Sequence, residues 1–198
     1  MKLNWAERLA VNNPLRPLQQ RLEINWYRRH VDLPKGARIL EIGCGRGAGS
    51  YLIKRAFSPA GCIHAMDLDI GMIRKAGTYL SPEAREGLSF FVADACRLPY
   101  RDRAMDAVFG FGVLHHIPDW QGALKEIVRV LEDGGIYFFE ELYPALYQNC
   151  ITRHILLHPR ENRFRAEVLK RAVAEAGLVM GTYLENPYLG ILGYAEKK

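Results

Sequence analysis

The sequence predicts an α/β fold: a mainly parallel, seven-stranded sheet closed by an antiparallel C-terminal hairpin. Three observations predict it. Short runs rich in β-branched and aromatic residues alternate with segments of helical periodicity. Each run is mostly apolar on both faces, as strands covered by helices on two sides must be. The last two runs have only a turn between them, too short a link for a parallel crossover.

In chain order the first five strand candidates are residues 38–42, 62–68, 88–93, 107–113 and 136–142. Helical segments between them imply right-handed crossovers, and therefore parallel pairing. Asp69 is the expected cap of a helix over 70–80. Leu124, Ile127, Val128 and Leu131 recur at helical spacing, with Asp119 as the expected cap and Gly134-Gly135 as the expected stop. Val168, Leu169, Ala172, Val173 and Ala176 repeat that design ahead of Gly177. Runs 178–184 and 189–196 then flank Asn186-Pro187 and form the hairpin.

Two segments fall outside the alternation. Residues 4–30 read as helix interrupted at Asn13-Pro14 and Pro17, and residues 143–163 read as a helical insertion after the fifth strand. One domain over residues 1–198 is expected, with these two segments as its substrate cover. Specificity is commonly built in such additions to a shared core.

No stretch approaches the roughly 18 uninterrupted apolar residues of a membrane helix, and the first residues lack the apolar run of a leader. A cytoplasmic protein without membrane association is expected. Cys44, Cys62, Cys96 and Cys150 form no Cys-x-x-Cys pair, which argues against a disulfide framework or a zinc site; reduced thiols are expected. The net charge of +5 comes from dispersed arginines and lysines, the pattern of a solvated surface and not of a nucleic-acid stripe.

The segment Gly43-Cys44-Gly45-Arg46-Gly47-Ala48-Gly49 follows the first strand and opens a helix, where backbone N–H groups can approach a ligand closely. Its spacing alone also admits a dinucleotide fingerprint or a purely structural turn. Asp67, at the end of the second strand, can accept hydrogen bonds from ribose hydroxyls, which serves NAD and other nucleosides alike.

Later motifs narrow the choice. The third strand leads into Ala93-Asp94-Ala95-Cys96-Arg97-Leu98-Pro99-Tyr100, followed by Met105-Asp106, then Leu114-His115-His116-Ile117-Pro118-Asp119, then Arg129-Val130-Leu131-Glu132-Asp133-Gly134-Gly135. With Glu41 ahead of the glycines, this ordered set resembles the class I S-adenosylmethionine-dependent methyltransferases, in particular their small-molecule type 11 group. The resemblance covers about residues 37–141 and implies a Rossmann-like, doubly wound fold. Tyr100, Met105 and Asp133 depart from the usual Phe, Phe and Pro.

S-adenosyl-L-methionine is the cofactor that the resemblance implies, with S-adenosyl-L-homocysteine as the product. Glu41, Gly43, Cys44, Gly45 and Gly47 would wrap its amino-acid end. Asp67 would bind the ribose, with Leu68 and Met72 in the same set, and Asp94 and Ala95 would hold the adenine. Phe111 and Gly112 would flank the methionine part or the acceptor. Asp94-Ala95 and the closing hairpin disfavour an NAD-dependent oxidoreductase.

Methyl transfer from a sulfonium is an in-line displacement, so orientation and exclusion of water suffice unless the acceptor must lose a proton. That is why no catalytic triad is expected. His116 and Glu141 are the candidate proton-handling residues, and strand alternation sends one of Glu140 and Glu141 toward the pocket and the other away. His154 and His158 are spaced i, i+4 but lack a further local ligand, so no metal is expected. The (N/D)-P-P-(Y/F) tetrad of base-amine methylases is absent after the fourth strand, and Asn186-Pro187-Tyr188 lies in the wrong place. A small-molecule acceptor is therefore favoured over RNA. A non-catalytic, cofactor-binding partner subunit is the other alternative.

Overall fold

The computed structural model describes residues 13–58, 61–147 and 163–198. Helix α1 (Arg16–Arg28) leads into β1 (Ile39–Ile42), α2 (Ala48–Phe57), β2 (Ile63–Asp67), α3 (Ile70–Tyr79), α4 (Pro82–Arg85) and β3 (Leu88–Val92). β4 (Met105–Phe111), a single 3-10 turn (Leu114–His116), α5 (Trp120–Val130) and β5 (Leu131–Leu142) follow. The chain closes with α6 (Pro144–Tyr147), α7 (Ala166–Glu175), β6 (Leu178–Asn186) and β7 (Gly190–Lys197).

The seven strands lie in the order β3-β2-β1-β4-β5-β7-β6. β1 to β5 pair in parallel, and β7 runs antiparallel to both β5 and β6. This is the parallel sheet with an antiparallel closing hairpin that the sequence predicts. β3 departs from the two-faced burial expected of every strand: it is an edge, and each of its residues is half-buried or exposed.

Strand alternation divides the core between two faces. Leu40, Ile42, Val108, Tyr137 and Phe139 pack with α5 and α7 around Trp120, Leu124, Leu169 and Val173. Ile39, Ala107, Phe109, Ile136 and Phe138 pack with α1 and α2 around Ile24, Tyr27, Ile53 and Phe57. On this second face Phe109 stacks on Phe138 at 4.3 Å, and the Tyr27 ring lies edge-on to Phe138 at 5.0 Å. The buried Tyr27 hydroxyl donates to the Phe139 carbonyl at 2.7 Å, which pins α1 to β5.

Several local expectations change. Pro17 opens α1 and does not interrupt it, since the first turn of a helix loses no hydrogen bond to a proline. α5 ends at Val130 and not at Gly134-Gly135, because Leu131 is already paired with Met105 of β4. β4 ends at Phe111, two residues before the expected limit, where the Val113 N–H turns aside to a side chain of β5. Asp69 and Asp119 cap α3 and α5 as expected, accepting from Gly71 N at 2.8 Å and Gly122 N at 3.0 Å. Cys44, Cys62 and Cys96 are free thiols. Cys150 and most of the 143–163 insertion, His154 and His158 included, lie outside the described residues, as do residues 4–12. Among the described residues no helix is long and apolar enough to cross a membrane.

The hairpin meets β5 at Gly190, whose φ is +155°. A Cβ there would lie 2.1 Å from the Glu141 carbonyl oxygen, which is backbone and cannot yield. Gly190→Ala is expected to destabilise the protein by more than about 2 kcal/mol, through strain and lost β5–β7 pairing. Denaturant unfolding measures this, and a loss below half that value would show that the hairpin tip is free to shift.

Candidate active site

The glycine loop makes its turn with Gly43, Gly45 and Gly47 all at positive φ (68°, 54° and 82°), a sequence of conformations open to glycine. It is anchored to β2 by two bonds. Cys44 N donates to the Met66 carbonyl at 2.9 Å, and Gly45 N donates to Asp67 Oδ2 at 3.0 Å. The other oxygen, Asp67 Oδ1, accepts from Asp69 N at 2.8 Å. Each carboxylate oxygen thus takes one backbone donor and keeps further acceptor capacity at the lip of the loop. Burial raises the Asp67 pKa above the usual carboxylate value, against the pull of those two N–H groups.

β3 ends beside this acid, with Ala93 N donating to the Asp67 carbonyl at 3.3 Å. Asp94 is exposed and accepts from Cys96 N at 2.9 Å, while Ala95 is buried. The loop that follows is clamped by α5. Arg129 donates to the Tyr100 carbonyl at 2.8 Å and to the Leu98 carbonyl at 3.1 Å, and Glu126 accepts from Leu98 N at 2.8 Å. The Arg129 of the last sequence motif therefore acts on loop geometry. Leu68 stands exposed beside Asp67, whereas Met72 is closed off in the core.

Beneath the loop Glu41 is buried against α2. It accepts a short hydrogen bond from the Ser50 hydroxyl. Burial, assisted by the nearby Asp67 charge, pushes its pKa up to about 7. Burial likewise raises the Cys44 thiol well above its ordinary value, which removes it as a nucleophile near neutral pH.

A cavity of about 810 Å³ opens at the carboxyl ends of the strands and runs from the glycine loop under α1 to the hairpin. Of the residues predicted from sequence, Gly43, Cys44, Gly45, Phe111, Gly112, His116 and Glu141 line it. Glu41, Gly47, Asp67, Leu68, Met72, Asp94 and Ala95 lie outside it, five of them along the β2–β3 side of the same sheet edge. Sequence reasoning passed over Arg16, Gln20 and Glu23 of α1 and Leu184, Leu189 and Ile191 of the hairpin. The signal for the first three was present: Arg16, Gln20, Glu23 and Tyr27 fall on one helical face, a polar stripe on the side that buries.

The two carboxylates ending β5 go to opposite faces, as strand alternation predicts, although both residues border the cavity. Glu140 pairs with Arg16 of α1 at 2.9 Å. Glu141 is fully buried and accepts from Leu114 N at 2.8 Å, His115 N at 3.2 Å and Val113 N at 3.3 Å. His115 Nδ1 adds a fourth contact to it at 2.7 Å. That arrangement makes Glu141 a positioning residue for the turn below β4. His116 is half-buried on the cavity wall, its ring 4.2 Å from that of His115.

An α/β protein with its ligand cavity at the carboxyl ends of parallel strands is the class that fold and site define. A family profile described as "Methyltransferase domain" (Methyltransf_11) matches residues 40–139, and the chain belongs to that family. It is 32% identical over 181 residues to the phthiotriol/phenolphthiotriol dimycocerosates methyltransferase of Mycobacterium tuberculosis, covering 85% of this chain and 64% of that protein. The chain thus spans just under two thirds of that relative's length. It is 34% identical over 156 residues to the aklanonic acid methyltransferase DauC of Streptomyces sp. strain C5, covering 73% of this chain and 70% of the other. Among solved structures, an S-adenosylmethionine-dependent methyltransferase from Mesorhizobium loti superposes with a TM-score of 0.69 at 15% identity, over 88% of this chain and 98% of that one.

Glu41 supplies a test of this electrostatic picture. A carboxylate whose pKa is raised on folding binds more protons in the folded state, so its contribution to stability falls as pH rises from about 5 through 7. Glu41→Gln, which mimics the protonated form, should match the wild type near pH 5 and exceed it at pH 8, by up to about 3 kcal/mol. Thermal unfolding at both pH values checks this; a variant less stable at pH 8 than at pH 5, relative to wild type, contradicts it.

Proposed function

We propose that the protein binds S-adenosylmethionine across the β1–β3 edge and methylates a small-molecule acceptor held in the cavity under α1. The observation that carries this reading is the pairing of a nucleoside-type edge with an adjoining acceptor-sized space. Asp67, tied to the glycine loop yet retaining acceptor capacity, supports a ribose site there, and the cavity begins at that same loop. Family membership supports the chemistry, and the relatives named above are methyltransferases of small molecules.

The residues fit the cofactor. Glu41, Gly43, Cys44, Gly45 and Gly47 would hold its amino-acid end, and Asp67 its ribose hydroxyls. Asp94 and Ala95 would take the adenine, with Leu68 exposed as an apolar wall and Met72 backing it from the core. Phe111 and Gly112 would border the methionine part. When bound, S-adenosylmethionine supplies a methyl group already activated on a sulfonium, for in-line displacement.

The chain's own task is then to place the acceptor and exclude water. Leu142, Leu184, Leu189, Ile191 and Leu192 give the hairpin side of the cavity an apolar lining for the body of the acceptor. Arg16, Glu23, Glu140 and His116 give the α1 side its polar groups. α1 and the 143–163 insertion would act as the cover. Glu141 serves by fixing the turn that carries His115 and His116, and it does not itself reach the acceptor.

Calorimetry with S-adenosylhomocysteine tests the reading. Binding in the micromolar range, with no heat from NAD, is expected, and the reverse order of ligands would reject it. Asp67→Ala should weaken binding about ten- to hundredfold, the range for hydrogen bonds to a charged group. Unchanged affinity would remove Asp67 from the ribose site.

A further inference from the structure

One carboxylate on the cavity wall has a partner for only one of its oxygens among the described residues. Glu23, on α1, is 7% exposed and lines the cavity. Its Oε1 accepts from Gln19 Nε2 at 2.7 Å and lies 3.6 Å from Arg16 Nη1. Its Oε2 is buried with no hydrogen-bond donor among the described residues. Such an oxygen is costly to leave unsatisfied, so it points to a donor that arrives with a ligand.

Arg16 already stands between Glu23 and Glu140, within 3.6 Å of one and 2.9 Å of the other, and answers part of their charge. What Glu23 Oε2 still lacks among the described residues is a hydrogen-bond donor, which a neutral hydroxyl supplies together with a proton that must leave on methylation. Arg16 and Tyr27 on α1 and Glu140 on β5 are the charged and titratable groups that act on Glu23. Glu41 on β1 faces the same Arg16, and His115, His116, Glu141 and Glu185 border the cavity from the other elements.

We propose that Glu23 accepts the proton of a hydroxyl-bearing acceptor, so that the transfer is an O-methylation. This rests on the reading of the site as a methyltransferase. The acceptor O–H proton passes to Glu23 Oε2 as the oxygen lone pair forms the new O–CH3 bond. The methyl–sulfur bond breaks with its electron pair left on sulfur, which gives S-adenosylhomocysteine, and the protonated Glu23 returns its proton to solvent. Burial and the Glu140 charge raise the Glu23 pKa to about 7, so the group can both take and release a proton near neutral pH.

The test uses S-adenosylhomocysteine binding by calorimetry together with initial rates on a panel of phenols, long-chain alcohols and amines. For the wild type, binding and methylation of hydroxyl compounds are expected, with a rate that rises through about pH 7. Glu23→Gln should keep the S-adenosylhomocysteine affinity within about twofold, lower the rate about a hundredfold or more, and abolish the rise with pH. Should Glu23→Gln not fold, Glu23→Asp is expected to slow the reaction while keeping the rise. A Glu23→Gln enzyme that keeps rate and pH rise, an unchanged Glu23→Asp rate, methylation of amines alone, or S-adenosylhomocysteine binding without transfer to any hydroxyl compound each overturns the proposal. A wild type that does not bind S-adenosylhomocysteine overturns the functional reading and this proposal together.

Discussion

Two consecutive carboxylates at the end of β5 set the geometry on which the site depends. A strand sends neighbouring side chains to opposite faces, and a buried carboxylate must find donors wherever it is sent. Glu141 finds them in the N–H groups of Val113, Leu114 and His115, so β4 has to release its backbone and turn at that point. Glu140 finds Arg16, so α1 has to lie across the same strand end. The carboxylate of one builds the floor of the cavity and that of the other secures its roof. Removing Arg16 would strand the buried Glu140 carboxylate, a cost typically of about 3–5 kcal/mol for a broken buried pair, so α1 cannot drift from that strand end.

The remaining supports converge on the same edge. Tyr27 anchors the far end of α1 to β5 through the Phe139 carbonyl. Arg129 and Glu126 hold the loop after Asp94 from below, and Asp67 holds the glycine loop from the side. The β1–β3 edge and the cavity under α1 are therefore built by separate contacts that meet at the glycine loop.

Much of this was legible in the sequence because the signals are local. Asp69 and Asp119 announce helix starts through their own short side chains, and the hairpin follows from a turn too short for any other connection. The parts that were not legible depend on distant partners. Gly134-Gly135 reads as a helix stop, but pairing of Leu131 with Met105 ends α5 first. Pro17 reads as a break until its place in the first turn is known. Arg16 meets Glu140 across 124 positions, a contact that no spacing rule reaches. Glu23 could have been noticed as an acid on the buried stripe of α1, yet only the fold shows that one of its oxygens lacks a donor among the described residues.

On this reading the cofactor lies along the β1–β3 edge and its methyl group faces an acceptor in the cavity under α1. A crystal structure with S-adenosylhomocysteine bound tests it most directly. The expected result has the ribose hydroxyls on Asp67, the adenine beside Asp94 and Ala95, and the sulfur at the glycine loop facing the cavity under α1. A nucleoside lodged against the hairpin residues Leu184 and Leu189, with Asp67 untouched, would contradict it.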